Sequence, residues 1–143
     1  MPRILIADDN PQNAELIEAH LDGAGYETKL ADQGEATLAA VGAWMPDVVL
    51  LDVMMPKLSG FEVCKRIKAD PATAATAVLM VTALDEAADI DRAVDAGTDD
   101  FLSKPINKAE LLLRVKCLLA AKAEPTPAGR SLAYMRAVQH GAA

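Results

Sequence analysis

The sequence predicts an α/β fold: a mostly parallel sheet with helices on both faces. Three observations lead there. Short apolar runs without period-two alternation read as strands buried on both faces. Segments with helical apolar spacing separate them, and strand and helix alternate five times. The chain has 143 residues, 52% of them hydrophobic, enough for one domain with a substantial core.

Each element has its own signals. Arg3-Ile4-Leu5-Ile6-Ala7 is a first strand, followed by Asp8-Asp9. Asn10-Pro11 supplies an N-cap and a first-turn proline. Ala14, Ile17, Leu21 and Ala24 recur at helical spacing, and Gly25 is expected to close that helix. Tyr26 to Ala31 is a second, more polar strand nearer an edge. Asp32 and Glu35 have capping-box spacing for a second helix reaching Trp44, which Met45-Pro46 breaks. Val48-Val49-Leu50-Leu51 is a third strand, running without interruption into Asp52. Ser59 and Glu62 form another capping box, just past the Pro56–Ser59 loop, and that helix ends at Asp70-Pro71. Ala77 to Val81 is a fourth strand, ending in Thr82. Asp85 is expected to open a fourth helix that Gly97 stops. Asp100 to Ser103 is a short fifth strand ending in Lys104-Pro105, and Asn107 with Glu110 starts a helix carrying Leu111, Leu112, Val115, Leu118 and Leu119. Glu124 to Arg130, with two prolines and a glycine, reads as a linker. Residues 131–140 have the spacing of a short helix, in a tail expected to be mobile or loosely docked.

Composition narrows the function. The net charge is −7 and aromatics make up 3%, which argues against electrostatic binding to nucleic acid or anionic membrane and against base stacking. Met1-Pro2-Arg3 leads directly into a strand, so no signal peptide is expected, and no apolar run reaches membrane-spanning length. Cys64 and Cys117 are expected to be free thiols in a reducing cytoplasm. His20 and His140 are too few for a histidine metal site.

The strand ends carry the chemistry. In a parallel sheet the carboxyl ends of all strands lie on one edge, where open α/β sheets bind ligands. That edge would gather Asp8, Asp9, Asp52, Thr82 and Lys104. Taken singly, Asp52 is either a nucleophile or a solvated strand-end carboxylate, Asp8-Asp9 also suits the start of a helix, and Thr82 and Phe101 suit plain structural roles. Together they form a complementary set. Three clustered carboxylates repel and raise one another's pKa unless a hard cation such as Mg²⁺ joins them. Lys104 offers a point charge for phosphoryl oxygens and Thr82 a hydroxyl donor. The set suits in-line phosphoryl transfer to a carboxylate.

Asp8-Asp9, Leu50-Leu51-Asp52-Val53-Met54-Met55-Pro56, the Gly60 turn, Val81-Thr82-Ala83 and Phe101-Leu102-Ser103-Lys104-Pro105 together resemble a response-regulator receiver domain of two-component signalling, over about Arg3 to Lys122. The stretches around residues 60–71, 82–85 and 101–115 are most similar to receivers attached to diguanylate cyclases. The resemblance implies a flavodoxin-like (βα)5 fold with strand order 2-1-3-4-5. It implies a receiver domain at 1–122, with linker and tail at 123–143. It further implies that Asp52 is phosphorylated by a histidine kinase or histidine phosphotransfer protein. Mg²⁺ would be bound by Asp9, Asp52 and the Met54 carbonyl, with Asp8 acting through water. Thr82, the Ala83 N–H and Lys104 would hold the phosphoryl group, and Lys104-Pro105 would be a cis peptide. Phe101 stands at the switch-aromatic position, without the hydroxyl of a tyrosine. The expected protein is a signalling switch, not an enzyme on other substrates, with output on the face of helix 4, strand 5 and helix 5 and a homodimer favoured by phosphorylation. With no room after Lys122 for a DNA-binding or cyclase domain, the chain is expected to be either a single-domain regulator or the receiver part of a longer one. Two alternatives compete: a docking module that is not phosphorylated, and a haloacid-dehalogenase-like aspartyl phosphatase. The second would want an Asp where Met54 stands. A flavodoxin proper is disfavoured by the acidic, aromatic-poor crevice.

Overall fold

A computed structural model describes residues 1–83, 87–122, 124 and 126–139, without the side chains of residues 87, 88 and 127. In chain order the elements are β1 Arg3–Ala7, α1 Pro11–Leu21, β2 Glu27–Ala31, α2 Gly34–Trp44, β3 Val48–Leu51, α3 Gly60–Ala69, β4 Ala77–Thr82, α4 Ala87–Ala96, β5 Asp100–Ser103, α5 Lys108–Ala121 and α6 Pro127–Gln139. The five strands form one parallel sheet in the order β2-β1-β3-β4-β5, the predicted flavodoxin-like arrangement.

Alternate residues of each strand project to opposite faces, so each central strand feeds two cores. Ile4, Ile6, Val48, Leu50, Leu79, Val81 and Leu102 pack with α1 and α5 on one face. Leu5, Ala7, Val49, Leu51, Val78 and Met80 pack with α2, α3 and α4 on the other. This double burial is why the strands read as unbroken apolar runs.

The helix starts follow the predicted chemistry in three places. Asn10 accepts from the N–H groups of Gln12 and Asn13, Ser59 from Glu62, and Asn107 from Glu110. At α2 the expected capping box of Asp32 and Glu35 does not form. The N-cap is Gln33, without a side-chain cap bond, and the helix begins at Gly34. A Cβ on Gly34 would stand 2.7 Å from the Leu58 Cβ, so close packing against that loop places the helix start. Helix α1 ends at Leu21 rather than at Gly25, and the turn that follows uses Gly23 and Gly25 at positive φ. The expected opening of α4 at Asp85 lies outside the described residues, as does His140.

The largest departure is at the C-terminus. The stretch read as a linker supplies the first turn of α6. Arg130 N–H donates to the Thr126 carbonyl and Gly129 N–H to the Thr126 hydroxyl, which caps the helix, and Pro127 is its first residue. A proline there is a helix-start signal, since its missing N–H would have no intrahelical partner anyway. Nor does the helix stand free of the domain: Tyr134 is buried in the α1–α5 core.

One glycine positions the sheet edge. A Cβ on Gly60 would stand 2.3 Å from the Asp52 carbonyl oxygen and 2.8 Å from the Val53 Cα, while the Gly60 N–H donates to the Val53 carbonyl. Gly60→Ala must push backbone away from backbone. It should lower stability by about 1–3 kcal/mol, read as a lower urea midpoint; an unchanged midpoint would contradict this close approach.

Candidate functional site

The sheet's own hydrogen bonding assembles the site. Just past β1, the Asp8 N–H donates to the Ala31 carbonyl; just past β3, the Asp52 N–H donates to the Ala7 carbonyl. Past β5, the Lys104 N–H donates to the carbonyl of Thr82, the last residue of β4. Each bond continues the parallel ladder by one residue. The side chains at four strand ends are thereby fixed at one level of one edge.

Asp8, Asp9 and Asp52 each bring a carboxylate oxygen to within 4.8 Å of the others. Asp8 and Asp52 are 3% and 5% exposed, while Asp9 lies at the rim. The Lys104 Nζ stands 3.2 Å from Asp8 Oδ2 and 3.6 Å from Asp52 Oδ2. Backbone donors supplement it: Asn10 N–H to Asp8 Oδ1 at 2.9 Å, and Met54 N–H to Asp52 Oδ1 at 3.3 Å. The Lys104-Pro105 peptide is cis. Thr82 is fully buried at the end of β4, and Ala83 is exposed just beyond it. The five residues read from the sequence as one constellation, Asp8, Asp9, Asp52, Thr82 and Lys104, therefore lie at one edge.

Phe101 lies one layer deeper. It pairs in register with Met80 and packs, half-buried, into the core under α2–α4. Thr82 is two residues beyond Met80, so Thr82 and Phe101 project to the same face of the sheet.

Burial pushes the Asp52 carboxyl up from its ordinary range, and the charge of Asp8 pushes it further. Lys104 and the Met54 N–H oppose the shift without cancelling it. Among the described residues, one ammonium beside three carboxylates leaves the cluster short of positive charge. Hard oxygen donors, packed this closely with negative charge in excess, fit a small divalent cation.

Sequence reasoning missed Arg92 of α4. Its guanidinium lies over the Phe61 ring, 4.3 Å from the centroid. It lines a groove of about 380 Å³ together with Asp9, Met54, Met55 and Pro56, at the rim of the acidic cluster. A cationic residue on a helix gives no spacing signal of such a neighbour.

The Asp52 shift has a consequence for stability. A carboxyl whose pKa is raised by folding favours the folded state while protonated and loses that contribution as pH rises from the ordinary value of 3.8 through the folded one. In the metal-free protein, Asp52→Asn should melt higher than wild type at pH 7, and the gap should close as pH falls towards 4. A variant that melts at or below wild type at pH 7 would show that Asp52 carries no such penalty.

Among the described residues no helix is long and apolar enough to cross a membrane. The family model described as the response regulator receiver domain matches residues 4–116. The chain is 44% identical over 119 residues to the DNA-binding dual master transcriptional regulator RpaA of Synechocystis sp., covering 83% of this chain and 49% of RpaA. It is 42% identical over 120 residues to the response regulator PleD of Caulobacter vibrioides, covering 84% of this chain and 26% of PleD. The chain thus spans about half or less of these relatives. The signal receiver domain of a signal transduction histidine kinase from Syntrophus aciditrophicus superposes with a TM-score of 0.80 at 31% identity, covering 88% of this chain and 95% of that one. Motif, edge geometry and similarity agree: the chain belongs to the response-regulator receiver domain family.

Proposed function

We propose that Asp52 is the phosphoacceptor of this receiver domain and that its donor is a phosphohistidine on a histidine kinase or phosphotransfer protein. The observation that carries this reading is the buried Asp52 carboxylate, which faces Lys104 and belongs to a three-carboxylate cluster. An Asp52 oxygen attacks phosphorus, and the P–N bond breaks with its electron pair going to the imidazole nitrogen, which takes up a proton. The product is an acyl phosphate. Water returns the domain to its resting state by attacking phosphorus, breaking the P–O bond to Asp52 and releasing inorganic phosphate. Lys104 pairs with the phosphoryl oxygens, while the Thr82 hydroxyl and the Ala83 N–H hold them. The raised Asp52 pKa reflects a carboxylate that negative neighbours destabilise, so added positive charge favours the reactive form.

Receiver domains bind Mg²⁺ at an acidic pocket, and Asp9, Asp52 and the Met54 carbonyl would hold it here, with Asp8 through water. When bound, the ion offsets carboxylate repulsion and neutralises charge on the transferring group. The domain acts as a signalling switch, and the only reactions proposed for it are its own phosphorylation and dephosphorylation. Cys64 and Cys117 are both buried free thiols, in keeping with a reducing cytoplasm.

For output we propose the face of α4, β5 and α5. Thr82 and Phe101 lie on one side of the sheet, so a Thr82 hydroxyl drawn to the phosphoryl group vacates space that Phe101 can fill. A homodimer through this face is the proposed signalling form.

Intact mass after treatment with phosphoramidate and Mg²⁺ should gain one phosphate in wild type and none in Asp52→Asn. Lys104→Ala should be slowed by about a hundredfold. Equal modification of Asp52→Asn would move the nucleophile elsewhere. Mg²⁺ at a hundred times its dissociation constant should stabilise wild type by about 2.7 kcal/mol, and Asp9→Asn should lose most of that gain. Identical melting curves with and without Mg²⁺ would refute the metal site.

A further inference from the structure

Helix α6 lies beyond the residues that the family model matches, yet it joins the core of the domain. It packs along α5, with Tyr134 9% exposed and Ala133, Ala137 and Val138 against the α1–α5 core. The Tyr134 hydroxyl donates to Asp100 Oδ2, and Arg114 Nη1 reaches the same oxygen at 2.9 Å. Burial and the Asp100 carboxylate push the Tyr134 phenol up, so it stays protonated as the donor. Asp100 is the first residue of β5 and Arg114 lies in the middle of α5. The latch therefore fastens α6 to two of the three elements of the proposed output face.

Its seat is light. Among its described side chains, Ala133, Ala137 and Val138 are only partly buried against the core, and its larger apolar ones, Leu132 and Met135, are 49% and 58% exposed. Arg114 Nε is buried without a hydrogen-bond partner among the described residues. A cavity of about 320 Å³, lined by Asp100, Leu118, Lys122, Tyr134 and Met135 among others, remains between α6 and the body. That gap is ground on the body that α6 borders without covering. The third element, α4, is open: Ile90 and Val94, one turn apart, are 43% and 64% exposed.

We propose that α6 is an intramolecular cover over the α5–β5 side of the output face, and that a second copy of this chain pairs through this face once α6 has swung away. Two features favour a second copy as the competing occupant. The exposed Ile90 and Val94 of α4 are apolar surface beside the covered part. Asp100 and Arg114, once released from Tyr134, are opposite charges on one patch, which is self-complementary across a two-fold axis. The inference rests on the output face proposed above, but the cover is testable without any phosphoryl group.

The experiment is sedimentation and amide exchange on the full chain, comparing wild type, Tyr134→Ala and Tyr134→Phe, each with and without beryllofluoride and Mg²⁺. Without the mimic, Tyr134→Ala should dimerise about tenfold more tightly than wild type or better, with faster exchange over residues 127–139 and unchanged protection of the sheet. Tyr134→Phe keeps the ring and should shift in the same direction by less, which keeps the test decisive if the alanine variant loses its fold. In wild type, dimer formation with the mimic should deprotect 127–139. The cover is overturned if α6 opens in a variant that stays as monomeric as wild type, or if a wild-type dimer forms with α6 fully protected. If Tyr134→Ala dimerises while the mimic changes nothing in wild type, the cover stands and the phosphorylation-driven switch fails.

Discussion

Among the described residues, Asp8 and Asp52 are buried side by side with one ammonium, Lys104, within reach of both. Two adjacent buried carboxylates are unfavourable, and one lysine offsets them only in part. The rest of the domain keeps them there. The parallel ladder holds their backbones level, Gly60 lets the β3–α3 loop close against the Asp52 carbonyl, and Asn10 and Met54 add backbone donors. The fold maintains a deficit of positive charge at one edge, which a bound cation would offset.

The opposite end of the sheet shows the contrast. There charges are paired off: Lys68 with Asp99, Lys122 with Asp47, Arg114 with Asp100. These pairs tie α3 and α5 to the strand beginnings. Among the described residues, charges at one edge are thus paired off, while the other carries negative charge in excess. Between them, Thr82 and Phe101 project to the same face of the sheet, the one covered by α2–α4.

Much of this was legible in the sequence because it depends on periodicity and strand ends. Unbroken apolar runs gave away the doubly covered strands, and a parallel sheet then forces Asp8, Asp52, Thr82 and Lys104 to one edge. What stayed hidden depends on tertiary contact. Asp32 and Glu35 have the spacing of a capping box, yet the fit of Gly34 against Leu58 starts α2 one residue later than that box requires. Pro125, Pro127 and Gly129 read as a linker, although a proline at a first helical position and a capping Thr126 carry the opposite meaning. The Tyr134–Asp100–Arg114 latch joins residues far apart in sequence with no shared spacing, and Arg92 reaches the site only because α4 packs against α3.

In the proposed chemistry the phosphoryl group goes to Asp52 and to neither Asp8 nor Asp9. Borohydride reduction after phosphodonor treatment distinguishes the three, because an aspartyl phosphate is reduced to homoserine where it stood and peptide mass mapping locates the residue. Homoserine is expected at position 52 alone. Homoserine at position 8 or 9, or modification only outside the acidic cluster, would refute Asp52 as the acceptor.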